Sequence, residues 1–177
     1  PFNSDFNDLS NIASKNHIDV SYSTSINSRS SLKKIIKLNP DLIICIGWSE
    51  IIQEKILNIP KYGVIGYHPS LLPQNRGRHP IIWSLALGLS ETGSSFFLMN
   101  KKADSGDIIS QKRLKIAMKD DASSLYKKLL EISKKQIPKI ISQINKKRFT
   151  IKKQNNSNSN KLRKRSLKDG EIDWRMG

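Results

Sequence analysis

Two apolar runs, Leu42-Ile43-Ile44-Cys45-Ile46 and Gly63-Val64-Ile65-Gly66-Tyr67, stand either side of a helix-length segment, and this rhythm constrains the chain most. A strand that is apolar on successive residues is covered on both faces. Such strands pair in parallel, because the chain crosses back over the sheet between them. Residues 49–57 are expected to form that crossover as a helix burying Ile51, Ile52, Ile56 and Leu57. The class is therefore α/β, a mostly parallel sheet with helices on both faces.

The flanking segments fit that class. Residues 17–22 alternate Ile18, Val20 and Tyr22 and read as a strand in an otherwise irregular start. Ser30 or Ser31 is expected to cap a short helix carrying Leu32, Ile35, Ile36 and Leu38, which stops before Asn39-Pro40. His79-Pro80 opens a helix that ends at Gly88, and residues 94–99 and 107–116 read as strands flanking a turn. Asp120 or Asp121 starts a long amphipathic helix kinked at Pro138, and residues 149–151 form a short edge strand. Residues 154–160, rich in Asn and Ser, lack an apolar anchor and read as a flexible connection to the basic cluster 161–165.

A formal charge of +16 over 177 residues raises polyanions as partners, but the basic residues are scattered and the Lys, Asn, Ile and Ser bias is that of AT-rich coding. Aromatic residues, 7% of the chain, are not interleaved with them, so no stacking platform for single strands is present. A phosphate-bearing substrate remains compatible. No apolar run is long enough to span a bilayer and no signal-peptide pattern opens the chain, so a cytoplasmic protein without membrane partners is expected. The single cysteine, Cys45, sits inside an apolar run and reads as strand packing; no metal site is suggested.

Chemically capable side chains gather in the loop His68-Pro69-Ser70-Leu71-Leu72-Pro73-Gln74-Asn75-Arg76-Gly77-Arg78 and in the turn Ala103-Asp104-Ser105-Gly106-Asp107. Both follow strand ends, where ligands bind in open α/β sheets. His68 there can act as a general acid or cationic stabiliser, and Asp104 is its candidate partner. Arg76 and Arg78 can grip a phosphate or carboxylate. Trp83 reads as core, and Trp48 as either core or site.

The string Gly63 to Pro73, followed by Arg76-Gly77-Arg78 and by Asp104-Ser105-Gly106-Asp107, resembles the formyltransferase family that uses 10-formyltetrahydrofolate. The resemblance implies a Rossmann-like catalytic domain and transfer of a formyl group to a primary amine. It further implies that His68 stabilises the developing oxyanion, that Asp104 orients His68, and that Trp48, Ser49, Glu50, Ile51, Ile52, Ala103 and Asp107 line the folate pocket. Ser70, Leu71, Leu72, Pro73, Arg76, Gly77 and Arg78 are the implied substrate-binding residues. The family's asparagine two positions before the histidine is Gly66 here, and Asn75 is expected to swing in as the substitute donor.

Family members begin with a strand, a helix and a second strand, whereas this chain starts at Pro1 within that pattern, so its first strands are expected to be missing. Residues 1–153 are the expected catalytic domain. Residues 154–177, ending at Gly177, resemble a basic linker towards a further C-terminal domain, as in the methionyl-tRNA and sugar branches. The continuation from Gln74 to Trp83 resembles the sugar N-formyltransferases, so a nucleotide-linked amino sugar is the expected acceptor, with initiator tRNA as the alternative. A folate- or nucleotide-binding module without catalysis is the reading from another class, and the oligomeric state is open.

Overall fold

A computed structural model describes residues 7–172, Trp174 and Arg175; Pro1, Asp173 and Gly177, which enter the expectations about the two ends, lie outside the described residues. The elements run α1 (Ser10–Lys15), α2 (Arg29–Leu38), β1 (Ile43–Cys45), α3 (Glu54–Leu57), β2 (Val64–His68), β3 (Arg76–Gly77), α4 (Pro80–Ala86), β4 (Glu91–Leu98), β5 (Ile108–Lys115), α5 (Ala122–Asn145) and β6 (Lys161–Leu162). Four strands form the main sheet in the order β1-β2-β4-β5.

Successive residues of a strand face opposite sides, and β2 shows what that does here. Val64 packs with Ile52, Ile56 and Leu57, against which Leu32 and Ile35 of α2 lie. Ile65 packs on the other side with Phe96, Ile109, and Ile140 and Ile144 of α5. Helices therefore cover both faces of β2, whereas in the first apolar run Ile44 and Ile46 remain exposed. β1 and β2 are parallel, whereas β2–β4 and β4–β5 are antiparallel. β5 carries Gln111, Lys112, Arg113 and Lys115, the half-solvated pattern of an antiparallel edge strand.

The helix expected over 49–57 is confined to Glu54–Leu57. The Glu50 carboxylate accepts from Ser25 Oγ at 2.6 Å, the Ile26 N–H at 3.0 Å and Asn27 Nδ2 at 2.8 Å. Asn27 also donates to the Ile51 carbonyl and accepts from the Gln53 N–H. These bonds offer residues 50–53 partners outside a helix and hold the segment open. Residues 17–22 form no strand: His17 takes a φ of +55°, and Ile18 and Tyr22 are exposed. α2 is capped by Ser28, whose Oγ accepts from the Ser31 N–H, rather than by Ser30 or Ser31. The edge strand expected at 149–151 reduces to one bridge, in which Lys152 and Ile108 exchange two N–H···O bonds of 2.8 Å.

α5 begins at the expected place, with Asp121 and Ser124 capping each other, and it continues through Pro138. Its buried Gln136 accepts from Ser94 Oγ at 2.6 Å and donates to Ser110 Oγ at 2.8 Å, tying the helix to β4 and β5. Gln136→Leu removes both bonds and with them the polar tie between helix and sheet, and a loss of about 1–3 kcal/mol is expected, read as a lower urea midpoint at unchanged m-value. Cys45 is half-buried against the α3 side of the sheet, and burial pushes its thiol up to about 11. Among the described residues no helix is long and apolar enough to cross a membrane.

Candidate active site

β2 delivers His68 to the end of the sheet, and the following loop is held there by buried and partly buried bonds. Ser95 Oγ donates to the Ser70 carbonyl at 2.6 Å, Ser70 Oγ to the Gln74 carbonyl at 2.8 Å, and Gln111 Nε2 to the Leu72 carbonyl at 2.9 Å. His68 itself is only 5% exposed. Its Nε2 lies 2.7 Å from the Asn75 carbonyl oxygen. A carbonyl only accepts, so Nε2 carries the hydrogen and Nδ1 is the edge left to work. Nδ1 faces Asp104 Oδ1 at 3.8 Å. That is longer than a hydrogen bond and too short for another group to lie between them, so the two edges stand side by side at the cleft.

Asp104 is placed by its own backbone and by its neighbours. Its φ is +54°, and its Oδ2 accepts the Gly77 N–H at 2.8 Å. Gly77 has a φ of +106°, and a Cβ there would overlap the Leu162 carbonyl oxygen. The overlap exists because β3 and β6 pair in parallel, Arg76 with Lys161 and Gly77 with Leu162. The segment read as an unanchored connection is thus tied in by polar groups: Asn160 bonds Asn75, and Gln154 and Asn156 bond Arg76.

His68 and Asp104 open into a cleft of about 460 Å³. That volume suits an organic ligand. The cleft brings together Trp48, Ser49, Glu50, Ile51, Ile52, His68, Gly77, Arg78, Ala103 and Asp104 from the sequence reading. Phe97 and Met99 add apolar surface, and the exposed Arg78, Lys102, Lys161 and Lys164 surround the opening with positive charge. The Glu50 carboxylate, turned to Ser25, Asn27 and the Ile26 N–H, which hold it below the usual carboxylate range, keeps its negative charge beside these cations. A larger cavity of about 770 Å³, lined by Glu54, Arg76 and Lys101 among others, contains neither His68 nor Asp104.

Several expected site residues lie elsewhere. Asn75 reaches His68 through its carbonyl; its side-chain amide is turned away, with Oδ1 accepting from Asn160 Nδ2 at 3.0 Å. Ser70 is buried under the loop, Leu72 packs with Phe97 and Ile108, and Leu71 lies against Gly93. Pro73 continues this scaffold, and neither it nor these three lines the cleft. The Arg76 guanidinium is engaged by Gln154 and Asn156, and the Asp107 carbonyl accepts the Leu98 N–H in the hairpin. Beside Gly66 no space remains for an amide, since a Cβ would come 2.9 Å from both Met99 Cγ and Phe97 Cζ.

Over residues 6–141 the chain matches the protein family described as formyl transferase. The chain belongs to the formyl transferase family. Curated formyl transferase relatives include the bifunctional polymyxin resistance protein ArnA of Wigglesworthia glossinidia brevipalpis, 39% identical over 160 residues that cover 90% of this chain and 24% of that protein. The methionyl-tRNA formyltransferase of Ehrlichia canis (strain Jake) is 37% identical over 133 residues, covering 75% and 44% respectively. The chain thus spans about a quarter to under half of these relatives. Among solved structures, the formyltransferase PseJ from Anoxybacillus kamchatkensis, in complex with UDP-4,6-dideoxy-4-formamido-L-AltNAc and tetrahydrofolate, superposes with a TM-score of 0.71 at 25% identity, covering 91% of this chain and 81% of that one.

The fold also engages residues that sequence reasoning passed over. Trp83 is half-buried rather than core: its Nε1 donates to the Arg163 carbonyl at 2.9 Å, and the guanidinium groups of Arg163 and Arg165 lie 5.2 and 4.9 Å from its ring centre. Partners 80 residues apart leave no periodic signal for a sequence reader to find. The same holds for Lys161 and Lys164, which composition alone assigns to a tail.

Proposed function

We propose that this chain carries the formyl-transfer site of an enzyme that moves a formyl group from 10-formyltetrahydrofolate to the amine of a nucleotide-linked amino sugar. The observation that carries the reading is the pairing of a buried His68 with the partly buried Asp104, opening with Nδ1 free of its backbone anchor into a cleft of about 460 Å³. The apolar surface of Phe97 and Met99, beside backbone groups of residues 48–52, suits a pterin with polar edges. Residues 1–153 supply the reacting groups, and the segment from 154 onward supplies part of the cleft's basic edge. Arg78, Lys102, Lys161 and Lys164 suit a diphosphate, and PseJ, whose complex holds a UDP-linked sugar and tetrahydrofolate, supports that acceptor class.

The donor supplies a carbonyl carbon activated by the nitrogen it leaves. As the acceptor amine forms its new C–N bond, negative charge gathers on the formyl oxygen, and protonated Nδ1 of His68 stabilises it. A preorganised donor in a water-poor site is worth far more than one in solvent. Asp104 stabilises the imidazolium and takes up the proton released by the amine, directly or through water. The old C–N bond then breaks and the folate nitrogen receives that proton, so charge and atoms balance.

A second reading, transfer to charged initiator tRNA, is favoured by the methionyl-tRNA formyltransferase relatives. Ionic strength separates the two. Transfer to a nucleotide sugar is expected to change little between 50 and about 200 mM salt, whereas tRNA binding through several phosphate contacts falls steeply over that range. Mass spectrometry of products from the protein, 10-formyltetrahydrofolate and a panel of nucleotide-linked amino sugars is expected to find one formamide with matching tetrahydrofolate release. Folate binding with no formylated product from any amine indicates a binding module instead.

A further inference from the structure

Asp104 holds a left-handed backbone conformation that a residue with a Cβ adopts only when its surroundings insist on it, and the Gly77 N–H on its carboxylate does not account for the backbone. The remaining restraint comes from outside the two loops. Gln154 Nε2 donates to the Asp104 carbonyl at 3.0 Å and to the Gly106 carbonyl at 2.6 Å, bridging both ends of the turn. Its Oε1 accepts from Arg76 Nε at 3.2 Å and Nη2 at 2.7 Å. A guanidinium offers only donors, so it dictates which end of the amide faces it and turns the NH₂ towards the two carbonyls.

These contacts close a ring. Arg76 grips Gln154, Gln154 holds the Asp104 backbone, and Asp104 accepts the N–H of Gly77, the residue after Arg76. The ring cannot slide. Two residues before Gln154, Lys152 is registered to Ile108 by its paired bonds, and a side chain at Gly106 would overlap the Leu98 carbonyl oxygen. Gln154 is not among the residues lining the cleft, so it touches neither reactant.

We infer that Gln154 is a positioning residue: by clamping the 104–106 turn from behind, it sets the Asp104 carboxylate at its working distance from His68. The inference rests on the formyl-transfer reading for its kinetic consequence only. A misplacement of about 1 Å at a reacting pair costs on the order of 100-fold in rate.

The test compares Gln154→Ala, which removes the clamp, with Gln154→Glu, which keeps the size and the acceptor for Arg76 but turns an oxygen towards two carbonyls. Two quantities are read on folded protein: kcat and KM for formyl transfer, and the amide proton resonance of Gly77, which reports its bond to Asp104. Both variants are expected to lose about 10- to 100-fold in kcat with KM for the donor held within a few-fold, and to move the Gly77 resonance upfield. If the alanine variant does not fold, Gln154→Glu and Arg76→Met carry the test, the latter with a smaller shift of the same sign. A Gly77 resonance unmoved in the folded variants overturns the inference, as does a variant with parental kcat. A moved resonance in a protein whose parent transfers no formyl group leaves the positioning role standing and removes the functional reading instead.

Discussion

Replacing His68 by alanine is expected to lower the rate of formyl transfer by about 100- to 1,000-fold while folate affinity changes by only a few-fold. The size follows from how little else can take over. The amide that the family resemblance sets beside the histidine is absent, and Phe97 and Met99 fill the space next to Gly66. The Asn75 side chain, the expected substitute, is committed to Asn160. In the proposed mechanism Nδ1 of His68 is therefore the principal donor to the developing charge, and its loss is not shared. Single-turnover rates with saturating donor, beside a folate-binding titration, separate chemistry from affinity. Equal loss of both would mean that His68 shapes the cleft rather than acting in it.

Gly77→Ala is expected to be as damaging by a different route. A residue with a Cβ at a φ of +106° is strained by about 1–3 kcal/mol, and here the added carbon also meets the Leu162 carbonyl. Relief requires β3 to part from β6, which withdraws the N–H that Asp104 accepts and uncouples Lys161 and Lys164 from the cleft. Thermal unfolding is expected several degrees lower, with transfer reduced about 100-fold even at temperatures where the variant is fully folded. A Gly77→Ala protein with parental melting temperature and rate would show that the β3–β6 pairing contributes nothing in solution.

What could be read directly from the residues divides along a physical line. β2, α4 and α5 declare themselves because burial on a sheet or helix face imposes a repeat that the sequence must carry. His68 and Asp104 were legible because both follow strand ends within a recognisable string. The shortened α3 was not, since Asn27 donates to the Glu50 carboxylate across 23 residues, a contact that no helical period reveals. Asn75 was misdirected for the same reason: a partner 85 residues away decides which way its amide turns. The C-terminal stretch lacks apolar anchors, as its composition says, yet amide side chains hold it through long-range hydrogen bonds, a kind of contact with no periodic signature.

Formyl transfer at this site requires a folate lying against the imidazole edge that faces Asp104. A crystal structure with 5-formyltetrahydrofolate, a stable isomer of the donor, tests this most directly. The pterin is predicted beside residues 48–52, with the folate nitrogen that carries the transferred group placed so that a formyl carbon on it lies about 3–3.5 Å from an acceptor amine entering the cleft, the formyl oxygen towards His68 Nδ1. Folate bound outside that cleft, or a cleft closed by Phe97 and Met99 at saturating ligand, would contradict it.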